Sequence, residues 1–309
     1  MKCVIFGGSG FIGSTLSDRL LLDGHSVRIF ERPRVAQYRV FSRDESAEWV
    51  TGDFSSRHDV SRAVEGMDVV FHLISTSLPK SSNDDRIYDV ESNVVSSLQL
   101  LNCMVEKAVP RIIFISSGGT VYGNPRYLPV DEAHPTNPIV SYGITKLAIE
   151  KYLQLYERLH GLTAISLRVA NAYGERQRIE TAQGAVAAFL HRARHDLPIE
   201  IWGDGEIVRD YVHVSDVAAA LANAAVYTGE GRVFNISSGH GTSLNELIAT
   251  LEAALGKSLT RRHLPGRTFD VPTSVLSNAF ACAELRWEPR IGLRQGIEQT
   301  ISWLDSQKV

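Results

Sequence analysis

Tyr142 and Lys146 stand one helical turn apart in SYGITK, which sets a phenol and an ammonium on one face of a helix. A phenol titrates near pKa ~10 and is a poor base at neutral pH, but a neighbouring cation favours its phenolate. That pairing suits removal of a hydroxyl proton while hydride leaves the same carbon for a nicotinamide. The N-terminal GGSGFIG, far upstream, opens a dinucleotide site that would hold such a group. The two features together read as a redox enzyme acting on an alcohol.

Gly7, Gly10 and Gly13 follow the apolar run KCVIF and open a helix near Phe11, with Ile12 in its first turn. Without side chains, this turn lets backbone N–H groups approach a pyrophosphate at a helix N-terminus. The required strand precedes it, and an acidic residue, Glu31 in RIFERPR, closes the second strand. A carboxylate there accepts bonds from both adenosine ribose hydroxyls and repels a 2′-phosphate, which favours NAD over NADP. Arg32 and Arg34 beside it either pair a 2′-phosphate or form a solvated loop edge. Asp53, followed by Phe54 in TGDF, either caps the adenine amino group or is an ordinary turn aspartate. Leu73 and Ser116, closing the runs VVFHL and RIIFIS, are further candidates for the cofactor crevice.

Positioning these residues requires strands that alternate with helices. Apolar runs at 2–6, 26–30, 48–50, 69–73, 111–116 and 163–169 read as buried strands. Helix-like segments lie near 11–22, 57–65, 85–108 and 141–160. Such alternation implies parallel βαβ units, and hence an α/β Rossmann-type doubly wound parallel sheet. After roughly residue 170 the pattern loosens. Helical periodicity returns at 183–195, 215–227, 244–255 and 293–305, separated by short strands such as PIEIW and RVFNI. The expected division is residues 1–170 as the NAD-binding domain, with strand and helix contributions from the later chain, and 171–309 as a smaller mixed α/β substrate lobe.

The 309 residues, 44% hydrophobic and 22% charged, suit a globular protein with a large core. A net charge of −3 with scattered Arg and Lys gives no reason to expect nucleic acid or an anionic membrane as partner. Cys3, Cys103 and Cys282 fit neither a disulfide framework nor metal-ligand spacing, so no metal is expected. The N-terminus lacks a signal-type segment, and no apolar stretch reaches the ~20 residues that span a bilayer. A cytoplasmic protein is the expectation.

GxxGxxG, the SSGGTVYG segment, Y-x-x-x-K and LRVANAYG occur in that order. Together they resemble the extended short-chain dehydrogenase/reductase family, and within it the NAD-dependent nucleotide-sugar epimerases of the UDP-galactose 4-epimerase type. The likeness runs nearly end to end, through RDYVHVSDVA and the R-x-x-D of GRTFD. It implies a redox-neutral cycle in which Tyr142 takes the sugar C4 hydroxyl proton while hydride moves to NAD⁺. The 4-keto sugar then turns over, and hydride returns to its other face. Lys146 would bond the nicotinamide ribose and lower the tyrosine pKa.

The resemblance also implies site residues. Asn93 in VESNVV matches a position beside the cofactor, although an Asn within a helix can also face water. Arg209 and Arg267 match diphosphate contacts, the alternative being ion pairs with Asp210 or Asp270. Asn171 matches a diphosphate or sugar contact, and Asp270 a contact to the nucleotide ribose. Ser274 aligns with a position where large side chains exclude an N-acetyl group, so acetylated UDP-hexoses are expected as well as UDP-glucose and UDP-galactose. One departure stands out. The family's usual Ser or Thr near the reacting oxygen is Gly118 here, so Ser117, Thr120 or a water must substitute, with Ser117 favoured because it stands beside that position. The family further implies a homodimer built on helices 85–108 and 141–160. A 4-ketoreductase, a decarboxylase, a UDP-glucuronate 4-epimerase and a catalytically silent nucleotide-binding protein remain open.

Overall fold

Strand β1 (Lys2–Phe6) is buried on both faces from Cys3 onward, as a near-continuous apolar run in a covered parallel sheet must be. Helix α1 (Phe11–Leu22), β2 (Ser26–Glu31), β3 (Ala47–Thr51), α2 (Arg57–Val64) and β4 (Val69–His72) follow. The segment read as one helix over 85–108 is in fact three pieces. These are α3 (Arg86–Asp89), a π-helical turn (Val90–Val95) and α4 (Ser96–Glu106). Next come β5 (Arg111–Ser117), α5 (Ser141–His160), β6 (Thr163–Val169), β7 (Asn171–Tyr173), α6 (Ala185–Arg194), β8 (Ile199–Trp202), β9 (Val208–His213) and α7 (Val214–Val226). The chain continues through β10 (Val233–Ile236), β11 (Gly241–Ser243), α8 (Leu244–Leu255), β12 (Arg261–Leu264), β13 (Thr273–Ser274), α9 (Ala279–Glu284) and α10 (Leu293–Ser306). This computed structural model describes residues 1–35, 38–78, 81–179, 184–266 and 271–307.

Seven parallel strands form the main sheet in the order β10-β6-β5-β4-β1-β2-β3. RVFNI therefore joins this sheet rather than the outer lobe, because β10 pairs with β6. Strand parity assigns the two faces. Cys3, Ile5, Ile113 and Ile115 pack with residues of α1 and α7, whereas Val4, Phe6, Ile112 and Phe114 pack with α2, α4 and α5. Strand order reverses direction between β1 and β4, which opens a crevice at their carboxyl ends.

The later chain builds a separate core of Val186, Leu190, Ile199, Ile201, Leu247, Leu251 and Ile297. Its small sheet runs β11-β9-β13, with β7 also paired to β9. Leu276, just past β13, packs with Val121, Tyr122 and Val130, so this lobe reaches back to the segment that follows β5.

Candidate active site

The glycine turn lies at the switch point, where the Leu73 amide donates to the Phe6 carbonyl at 3.0 Å. A side chain at Gly13 would meet the Gly7 carbonyl oxygen at 2.2 Å, so only glycine lets α1 start this close to β1. Gly10 caps α1 with no side-chain hydrogen bond, and the first turn carries no acidic residue. The helix thus presents free N–H groups and a positive dipole end toward the crevice. Glu31 is half-buried and accepts from Ser9 Oγ at 2.6 Å and from the Arg32 amide at 3.1 Å. This fixes an acceptor at the end of β2 whose chemistry fits a ribose diol, and so NAD.

Phe11 and Ile12 are half-buried in the first turn of α1, and Leu73 is half-buried beside it. Phe54 is only 6% exposed and its ring packs on Phe6 and His72, so its side chain belongs to the core. Asp53 is exposed, and hydrogen bonds from Ser55 hold its carboxyl below the usual carboxylate range. Asn93 does not face water. It lies in the π-helical turn, accepts from the Thr76 amide at 3.1 Å and donates to Asp89 at 2.9 Å.

The first turn of α5 is held from outside. Its N-cap, Val140, makes no side-chain capping hydrogen bond, yet the Ser141 amide donates to Asn83 Oδ1 at 2.9 Å and the Tyr142 amide to Ser82 Oγ at 3.1 Å. Residues about sixty positions upstream therefore satisfy the orphan donors of this helix. Along the same face, Lys146 is 3% exposed and its Nζ donates to the Ile115 carbonyl at 3.0 Å. That Nζ lies 4.7 Å from the Phe114 ring centroid and 5.6 Å from that of Tyr142. One turn further on, Glu150 is buried, accepts from Ser116 Oγ and pairs with Arg168 at 2.7 Å.

The electrostatics depart from the expectation that Lys146 lowers the phenol. Burial and the nearby Asp89 carboxylate push Tyr142 up to about 12, against a Ser75 hydrogen bond acting the other way. Burial also brings Lys146 down to about 8, opposed by the Asp89 and Glu150 carboxylates. The ammonium is bound to a backbone carbonyl, and desolvation outweighs any help it gives the phenolate.

The geometry explains Gly118. A Cβ there would lie 2.3 Å from Leu276 Cδ1 and 3.1 Å from the Arg168 carbonyl oxygen. Leu276 therefore occupies the volume that a serine would need. Of the two substitutes, Ser117 follows Ser116 in β5, so alternation turns it away from the α5 face that Ser116 meets through Glu150. Thr120 approaches α5 closely: its carbonyl oxygen lies 2.8 Å from where a side chain at 143 would begin. Its Oγ1 is buried with no hydrogen-bond partner among the described residues.

In the outer lobe, Arg209 on β9 donates from Nη1 to the carbonyls of Val208 and Val271 at 2.8 and 2.7 Å. Asp210 is 1% exposed and instead organises the Ser238–Gly239 backbone. Asn171 donates to the Asp210 carbonyl at 2.9 Å. Ser274 is half-buried in β13, in register with Arg209. Arg267 and Asp270 lie outside the described residues. The sequence reading missed Ser82, Asn83, Asp89, Glu150, Arg168 and Leu276. Only Glu150 carried a signal, in phase with Tyr142 and Lys146 at four-residue steps.

A glycine cradle at the switch point and a Tyr–Lys helix beside it define a dinucleotide-dependent enzyme of the extended short-chain dehydrogenase/reductase class. Residues 3–237 match the NAD dependent epimerase/dehydratase family, and the chain belongs to it. It is 34% identical over 307 residues to the UDP-glucose 4-epimerase of Mycolicibacterium smegmatis, covering 98% of each chain. It is 33% identical over 310 residues to a dTDP-4-dehydro-6-deoxyglucose reductase of Escherichia coli, covering 96% of each. A crystal structure of the Thermotoga maritima UDP-glucose 4-epimerase with UDP-glucose superposes with a TM-score of 0.93 at 33% identity, covering 99% of each chain. The protein is an NAD-dependent enzyme of the epimerase type. Among the described residues no helix is long and apolar enough to cross a membrane.

Proposed function

We propose that the protein interconverts the C4 epimers of UDP-hexoses, UDP-glucose and UDP-galactose, through a 4-keto sugar. The observation that carries this reading is Tyr142 and Lys146 on the helix beside the cofactor cradle, in a chain alike end to end to UDP-glucose 4-epimerases. NAD, when bound, supplies the hydride acceptor and donor and a positive charge that favours the Tyr142 phenolate. Tyr142 takes the C4 hydroxyl proton and later returns it. Lys146 holds the nicotinamide-side ribose and stays close to the phenol ring. Arg209 and Arg267 grip the diphosphate, Asn171 and Asp270 contact the nucleotide sugar, and these remote contacts leave the hexose free to turn.

Thr120 supplies the hydroxyl that Gly118 lacks, because its buried Oγ1 has no hydrogen-bond partner among the described residues and its carbonyl lies against α5, whereas strand alternation turns Ser117 away. Thr120→Val is expected to lower kcat by about tenfold or more, and Ser117→Ala by less. Steady-state rates of the two variants check the assignment. Ser274 leaves room for an N-acetyl group. Ser274→Tyr is expected to reduce kcat/KM for UDP-N-acetylglucosamine by roughly tenfold or more while UDP-glucose changes little.

Proton NMR of UDP-galactose and UDP-N-acetylglucosamine, each incubated with purified protein and no added cofactor, tests the reading. The anomeric signal of the C4 epimer is the expected result. A 4-ketoreductase is the second reading, favoured by the identity to the Escherichia coli reductase, and it would instead consume added reduced cofactor in step with product. A homodimer is part of the proposal. Ile144, Tyr152, Leu155 and Leu159 form an exposed apolar stripe along α5, and Tyr88 and Val95 are exposed on the neighbouring α3–α4 segment.

A further inference from the structure

We propose that Asp18, Arg39 and Arg176 are positioning residues for the bound cofactor. They fasten the connection between β2 and β3 to α1 and to the outer lobe, and so slow the release of NAD. The connection leaves β2 at Glu31, the acceptor whose chemistry fits a ribose diol. Its described residues 32–35 and 38–45 form neither helix nor strand, so its hold depends on side chains. The glycine turn opens α1, which makes that helix another wall of the cradle.

Charges of alternating sign cross this junction. Arg176 Nη2 donates to Asp18 Oδ2 at 2.7 Å, and Arg39 Nε donates to Asp18 Oδ1 at 2.7 Å. Arg39 then bonds Glu45 through Nη1 at 2.9 Å and again through Nη2. One carboxylate of α1 is thus shared by an arginine of the connection and an arginine of the lobe. All four side chains are between 21% and 35% exposed, so solvent screens them less than a fully exposed pair. Arg176 belongs to the lobe, because Tyr173 and Ile179 on either side of it bury in the lobe core and β7 just before it pairs with β9. Its φ is 66°, a left-handed backbone that a non-glycine residue adopts at a cost and keeps only where its surroundings enforce it. A second tie lies close by in the chain. Arg178 Nε donates to the Tyr38 hydroxyl at 2.9 Å, with its guanidinium 5.7 Å from the ring centroid.

The junction therefore joins three segments: α1 behind the glycine turn, the connection after Glu31 and the lobe segment after β7. A dinucleotide that spans the glycine turn and Glu31 is held by the first two, and its release requires local opening there. A charge-assisted hydrogen bond between half-buried groups opposes such opening by about tenfold.

The proposal rests on the binding of NAD and not on which sugar reacts, so it is tested without sugar. Radiolabelled NAD is added in excess to the purified holoenzyme, and its exchange for the bound cofactor is timed. Asp18→Asn keeps the shape and removes the shared charge, and it is expected to exchange about tenfold faster or more. Arg176→Met is expected to do the same. Arg176→Lys is expected to stay within about threefold of wild type, because an ammonium still pairs with Asp18. Added salt is expected to speed wild-type exchange more than that of Asp18→Asn, a difference that lost packing does not produce. Amide hydrogen exchange locates the effect: residues 38–45 are expected to lose protection in Asp18→Asn while β6 keeps it. Cofactor exchange in Asp18→Asn within about threefold of wild type overturns the proposal. So does faster cofactor exchange with unchanged protection at residues 38–45. Where Arg176→Met does not fold, the shape-conserving Asp18→Asn carries the test. A protein that epimerised no sugar would contradict the proposed reaction and leave these readouts standing.

Discussion

Tyr142→Phe is expected to lower kcat for epimerisation by about 10² to 10⁴ while leaving NAD bound and the fold intact. The substitution removes one oxygen from a half-buried ring and keeps the ring itself beside the Lys146 ammonium, 5.6 Å from its centroid, so packing changes little. The helix start remains capped, because Ser82 Oγ accepts from the main-chain amide at 142. In the proposed reaction the phenol oxygen accepts the sugar proton, and Thr120 is too weak a base to replace it. The comparison requires kcat for both enzymes and the cofactor content of both by absorbance after denaturation. A variant within tenfold of wild type would remove Tyr142 from the chemistry.

Arg168→Met is expected to destabilise the protein by about 3–5 kcal/mol, because it strands a buried carboxylate. Glu150 and Arg168 are both almost wholly buried and meet at 2.7 Å, and Arg168 Nη1 also donates to the Tyr122 hydroxyl at 2.9 Å. Tyr122, in the segment after β5, in turn donates to Asn235 of β10 at 2.7 Å, so the loss extends from β6 to the neighbouring edge strand. A fall in melting temperature of roughly 5–8 °C corresponds to that energy for a chain of this size. Glu150→Leu combined with Arg168→Met is expected to recover part of the loss, since no charge is then left unpaired. Differential scanning calorimetry of the single and double variants decides the matter. Equal melting temperatures for wild type and Arg168→Met would mean that the pair contributes nothing.

Local patterns in the sequence carried much of this structure. The helices at 11–22, 141–160 and 244–255 and the strand at 163–169 have the expected bounds, because apolar periodicity and glycine or serine caps mark them. The glycine turn and Glu31 were legible for the same reason, since both sit at fixed offsets from a strand. Long-range contacts were not. RVFNI looks like any short edge strand, and only its pairing with β6 puts it in the main sheet. The break at Val90–Val95 left no mark, since VESNVV suits a helix as well as a π-helical turn. Gly118 stood out as a missing hydroxyl, but its cause, Leu276, is more than 150 positions away in the chain. Asp89 and Ser82 are ordinary polar residues until folding brings them to the first turn of α5.

The central claim is a redox-neutral epimerisation run by Tyr142 and Lys146 with the cofactor kept in place. Its most direct test is incubation of UDP-galactose deuterated at C4 with purified protein and no added cofactor, followed by deuterium and proton NMR. The expected result is UDP-glucose that still carries deuterium at C4, because hydride leaves and returns within one site. Product that has lost the label, or no product until reduced cofactor is supplied in stoichiometric amount, would contradict it.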